Sequence, residues 1–172
     1  MPEHRSACAT VPDMNAILRT LEFLALSVWL GSDVFLSFVV APGAFRVLGS
    51  RDQAGLLVGF ALGRMHWIGI VCGLVFLVVR LARTRSAASL VAPAALCVVF
   101  MIVLTAVSER AVSPKMAALR MQMGSIQATA ANNPLLAEFG KLHRVSAALE
   151  SGVLLAGLTA IYLLVRESTL AR

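Results

Sequence analysis

RMHWIGIVCGLVFLVVRLA, residues 64–82, decides the architecture: no residue from Trp67 to Val79 is charged, and arginines stand at either end. About 20 apolar residues cross the roughly 30 Å hydrocarbon core of a bilayer as a helix. Three further stretches read the same way, at about 20–40, 89–108 and 145–165. The whole chain agrees. Of its 172 residues 59% are hydrophobic and only 14% charged, and mean hydropathy is +0.84. Soluble domains carry about 25% charged residues. A soluble enzyme, a disordered chain and a secreted disulfide scaffold are therefore excluded.

The expected fold is all-α: an integral membrane four-helix bundle with an amphipathic surface helix between the third and fourth spans. Residues 1–16, with Pro2 and Pro12, read as a disordered tail, 17–168 as a single four-span domain, and 169–172 as a second tail. The apolar run from Leu21 to Phe45 is too long for a cleaved signal segment and should be retained. Ala41-Pro42-Gly43 should stop the first span, because proline disfavours helical geometry in the residue before it. Ser50-Arg51-Asp52-Gln53 reads as a capping box opening the second helix. Ser113-Pro114 should end the third span, and Asn132-Asn133-Pro134 should open the fourth helix. Between them Met116, Leu119, Met123 and Ile126 recur at near-helical spacing, which places the surface helix at about 115–130.

The formal charge of +6 lies at the edges of apolar runs, where basic residues anchor helix ends against anionic headgroups. The bilayer is thus the expected partner, and nucleic acid is not. Arginine and lysine are almost evenly divided between the two sides, so they do not fix orientation; the packed arginines at 80, 83 and 85 tilt towards an inside N-terminus. Cys8, Cys72 and Cys97 form no metal or disulfide spacing. Small residues let helices approach in lipid. Ser27 with Gly31, Gly69 with Gly73, and the ridge Ala148, Gly152, Ala156, Ala160 are read as packing faces, one of which can also serve a homo-oligomer.

Ionisable residues inside spans are costly, face the bundle interior and mark functional sites by default. Asp33 and Glu150 are such acids. His66 and His143 open the membrane parts of the second and fourth helices, and Glu109 ends the third. His143 and Glu150, seven residues apart, share a face. Arg64 and Arg144 flank the histidines and can pair with Glu109. Asp33, His66, Glu109, His143 and Glu150 should therefore meet in one layer on the side opposite the termini. Copper held with Met65, Met121 and Met123, or haem between His66 and His143, are secondary readings of the same residues; His66 and His143 are the candidate metal ligands, and no cofactor is required. No P-loop, nucleophile elbow, HExxH or dinucleotide fingerprint occurs, so no enzymatic activity is expected.

Four motifs resemble the transmembrane protein 205-like family, also described as domain of unknown function 4149. They are Trp29-Leu-Gly31 with Phe35, Ala41-Pro42 and Phe45; His66-Trp67 with Gly69, Cys72 and Gly73; Ser113-Pro114-Lys115 with Leu119-Arg120; and Phe139 with Leu142-His143-Arg144 and Ser146. The resemblance covers about residues 20–165. It implies a four-helix membrane protein of undefined activity, found in the bacterial inner (plasma) membrane, and eukaryotic relatives linked to tolerance of a platinum drug. Asp33 stands where the family pattern more often has an apolar residue or glycine, which ranks His66 and His143 above it. The resulting expectation is solute, proton or metal handling through a polar pocket at one membrane face. The alternative is a non-catalytic structural or accessory membrane protein.

Overall fold

A computed structural model describes residues 13–170. In lipid every backbone polar group needs an internal partner, which leaves the helix as the spanning unit for such sequences. The elements in order are α1 (Met14–Phe35), a π-turn (Leu36–Val40), α2 (Ala41–Val47), α3 (Arg51–Thr84), a 3-10 turn (Ala87–Val91), α4 (Pro93–Val107), a second π-turn (Ser108–Val112), α5 (Ser113–Met123) and α6 (Pro134–Leu170). They join into four helices long and apolar enough to span a membrane, Met14–Val47, Arg51–Thr84, Pro93–Met123 and Pro134–Thr169. Residues 1–12 and 171–172, where most of the two expected tails fall, lie outside the described residues. Residues 14–16, expected in the first tail, are already helical, because Asp13 caps α1 by accepting from the Asn15 amide at 3.2 Å.

Two further expectations are corrected, both at prolines. Ala41-Pro42 and Ser113-Pro114 do not end their spans. A proline inside a helix lacks an N–H and its ring crowds the carbonyl four residues back. Each proline here follows a π-turn, in which the residue before it bonds five positions back: the Ala41 amide to Leu36 O and the Ser113 amide to Ser108 O. The wider turn makes room for the ring, and the helix continues. The surface helix at about 115–130 is consequently not a separate element. Its first part is α5, an extension of the third span, whose buried Leu119 belongs to a face packed against α6. Gly124, at φ 68°, adopts a positive-φ conformation open to glycine and ends α5, and the chain turns through 124–133.

The other two helix starts are as expected. Ser50 accepts from the amides of Asp52 and Gln53 to open α3, and Asn133 accepts from Leu135 at 2.9 Å to open α6. The turn before α6 is tied to the start of α3. Asp52 accepts from Ser125 Oγ at 2.6 Å and from the Ile126 amide at 2.8 Å, while Arg120 donates to Gly55 O at 3.1 Å.

Helix α1 packs on α3, α3 on α4, α4 on α6, and α6 returns to α1, an antiparallel ring. Leu26, Trp29, Phe76, Val98, Met101 and Val153 fill its middle. The glycine pair on α3 works as a seat: the Trp29 indole lies against Gly69 and Gly73, where a side chain would collide with it. Gly152 receives Leu104, and Gly157 receives Leu30 and Met101. Ser27 and Gly31 differ. They face outwards, and Gly31 has no neighbour within 4 Å of where a Cβ would stand, so that pair seats no helix of this bundle. The outer surface carries Phe38, Phe60, Trp67, Val78 and Tyr162, an apolar face suited to lipid.

Candidate functional site

His66 lies near the middle of α3 and is 0% exposed. Its Nδ1 is 2.7 Å from Glu109 Oε2, and its Nε2 is 2.7 Å from Glu150 Oε1. Three helices thus meet on one imidazole. The π-turn after α4 carries Glu109 and also Ser108, whose hydroxyl makes a long bond of 3.4 Å to Glu150 Oε1. A π-turn inserts one residue into the helical register, and such bulges recur at functional sites.

Two short N···O contacts need two protons between them. An imidazolium can donate to both carboxylates, or a neutral imidazole can donate to one and accept from a protonated other. The inventory is the same in both cases. The triad carries two protons and one net negative charge, and the two forms interconvert by moving one proton along a 2.7 Å bond. The Glu109 side chain is 25% exposed and that of Glu150 13%, whereas His66 between them is closed off.

Asp33 on α1 is 1% exposed and close enough for the charges of Glu150 and His66 to act on it. Its Oδ1 accepts from Ser37 Oγ at 3.4 Å. Its Oδ2 has no hydrogen-bond partner among the described residues, and neither do Glu150 Oε2 or Thr105 Oγ1. Thr105 lies on α4 one turn below Ser108 and Glu109 and is itself buried.

Four of the expected site residues, Asp33, His66, Glu109 and Glu150, therefore come together. His143, Arg64 and Arg144 do not. His143 shares a face with Glu150 but lies seven residues, or about 10 Å, further along the helix axis. It is exposed. The single layer fails because the His66 imidazole stands level with Glu150, which leaves His143 two turns away along α6. Arg64 is exposed and lies over the Phe60 ring at 5.3 Å, and Arg144 is also exposed; Glu109 pairs with His66 instead. Haem ligation by His66 and His143 is incompatible with this arrangement, since carboxylates engage both nitrogens of His66. Among the described residues no three His, Cys, Asp or Glu side chains are grouped to hold a metal ion.

Reading the sequence missed a second buried polar layer, at the opposite end of the bundle. Arg83 on α3 donates to both oxygens of Glu22 on α1, at 2.8 and 3.2 Å. Arg80 donates to both oxygens of Glu167 on α6 at 3.0 Å and lies 3.9 Å from Glu22. Arg80 Nε also donates to Ser89 O at 3.1 Å. Glu22 and Arg80 are buried. The sequence alone reads Arg80 and Arg83 as headgroup anchors, whereas they pair with Glu22 and Glu167. The available signal was an acid on the first span and another on the fourth, each at a depth matching an arginine of the second.

The chain matches no curated protein and no solved structure. A family model described as a domain of unknown function (DUF4149) matches residues 24–125, more than half of the chain, and the chain belongs to that family.

Proposed function

For this member of the DUF4149 family we propose a proton-binding membrane protein whose site is the His66–Glu109–Glu150 triad, loaded from the side of the 41–55 and 108–144 connections. The carrying observation is an imidazole buried among helices with each ring nitrogen 2.7 Å from a carboxylate of a different helix. Ionisable groups at such depth mark proton relays and ion pathways in membrane proteins. Glu109 is the entry residue, being the more exposed of the two acids. Exchange of this proton with that of a carried solute is the function the site serves. The protein resides in the bacterial inner membrane, as suits helical spans, and its kinship extends to the transmembrane protein 205-like proteins. Phe139, Leu142, His143, Arg144 and Ser146 support that kinship beyond the matched segment.

Infrared difference spectra of the full chain in lipid nanodiscs, recorded through a pH titration, test the proposal. A carboxyl protonation step should appear in the wild type and move in both His66→Gln and Glu109→Gln. A titration identical in wild type and His66→Gln overturns it. A second reading, that the triad only locks the bundle, draws on the bond from Ser108 to Glu150. It expects His66→Gln to lower the melting temperature while the protonation step stays.

A further inference from the structure

Helix α5 packs its body on α6, and among the described residues one hydrogen bond joins it to α3: Arg120 Nη1 donates to Gly55 O at 3.1 Å. Arg120 Nε is buried without a partner, and the guanidinium lies over the Phe139 ring at 5.6 Å. The Gly55 bond therefore sets where the side chain ends. Glycine is required at 55, since a Cβ there would stand 2.8 Å from Arg120 Nη2; at Gly59 one would stand 3.8 Å from Nη1. One turn further along, a Cβ at Gly63 would stand 3.9 Å from Glu109 Oε1. One face of α3 thus receives two side chains of the third span, Arg120 and Glu109.

The two spacings match. Glu109 and Arg120 are eleven residues apart on the third span, and their partners His66 and Gly55 are eleven residues apart on α3. Each interval is about 16 Å of helix. The second π-turn, Ser108–Val112, lies at the Glu109 end of that interval. Losing its extra residue would rotate everything beyond it by about 100° relative to α4, and Arg120 would leave Gly55. Pro114 keeps the turn from tightening, whereas the Arg120 bond fixes the rotation of the helix that follows. We propose that Arg120 is a positioning residue for the proton site: anchored on Gly55, it holds the π-turn so that Glu109 reaches His66 Nδ1. The inference rests on the proton-binding reading and gives that site a control point three turns away.

The test is the ¹⁵N spectrum of the full chain, labelled at histidine, in lipid nanodiscs, because the two ring nitrogens of His66 report on different helices. Nδ1 faces Glu109 on the third span and Nε2 faces Glu150 on α6. The His66 signals are those lost in His66→Gln. Arg120→Ala should displace the Nδ1 resonance in the direction seen for Glu109→Gln and displace Nε2 less. Gly55→Ala should do the same in smaller measure, since its methyl pushes the guanidinium aside without removing its charge. Arg120→Lys, whose ammonium can still donate to Gly55 O, should restore the wild-type Nδ1 position. Lys115→Ala, which removes an exposed charge on α5, should leave it unchanged. A wild-type Nδ1 resonance in Arg120→Ala overturns the proposal, as does an equal displacement of both nitrogens, the mark of general loosening. If Arg120→Ala does not fold, Gly55→Ala decides by the same criteria. Identical infrared titrations of wild type and His66→Gln end the proton-binding reading alone, because the nitrogen spectra read the Glu109 contact whatever the site carries.

Discussion

Glu22 is 1% exposed and has Arg83 at 2.8 Å and Arg80 at 3.9 Å, so its carboxylate neutralises guanidinium charge away from water. Removing one partner of a buried ion pair strands the other and costs about 3–5 kcal/mol. Glu22→Ala should therefore lower stability by about that amount in equilibrium unfolding from mixed micelles. Glycines give a sharper contrast. Gly69→Ala drives a methyl into the Trp29 indole and should cost about 1–3 kcal/mol, with a shift in Trp29 emission. The same substitution at Gly31, where 4 Å of space is free, should be neutral or stabilising by up to about 1 kcal/mol, since alanine is the better helix former. Equal losses at the two positions would contradict the seat described for Trp29. At this scale the sequence was partly legible. Asp33, His66, Glu109 and Glu150 stood out because a charge in lipid is expensive. Who pairs with whom was hidden: pairing depends on how far one helix is shifted along its neighbour, which hydropathy does not carry. His143 shows the consequence, having the right face and the wrong height.

The four spans could be read from hydropathy because apolar length is almost the only requirement a bilayer imposes. The two π-turns could not. Proline in water-soluble helices is a stop, and nothing in Ala41-Pro42 or Ser113-Pro114 reveals that five-residue turns will absorb the ring. These turns also set the site. The second one offsets the helical register where Ser108 and Glu109 project, so both reach partners that an unbroken helix would not offer them together. Pro114→Ala removes the crowding and lets the segment tighten to the ordinary register. Helix content by circular dichroism should stay the same, while the Glu109 contact is lost. In a double-mutant cycle, Glu109→Gln should cost about 1.5–3 kcal/mol in the parent, as for a hydrogen bond to a charged group, and under about 0.5 kcal/mol in Pro114→Ala. Full additivity would mean that the proline does not control the turn.

Across the whole molecule, four antiparallel helices put residue 13 and residue 169 on one side and Gly49 on the other. Single cysteines at Asp13 and Thr169, in a background with Cys8, Cys72 and Cys97 replaced, should react with a membrane-impermeant maleimide from the same face. A cysteine at Gly49 should react only from the opposite face. The nearly even spread of basic residues left the direction of insertion unread, and the fold does not alter that balance. What the fold adds is a distance. His66 and Arg80 stand fourteen residues apart on α3, about 21 Å along the axis, with Trp29, Phe76, Val98 and Met101 filling the interval. If the arginine layer sits at one hydrocarbon boundary, the imidazole is about 9 Å from the other, a third of the way through a core of about 30 Å. The apolar interval then behaves as the insulator of a capacitor. A unit charge reaching His66 from the nearer face crosses about a third of the membrane potential, worth about 0.7 kcal/mol per 100 mV, or roughly a threefold change in occupancy. Electrically, the site would be a shallow well that the cell's voltage can bias but not empty.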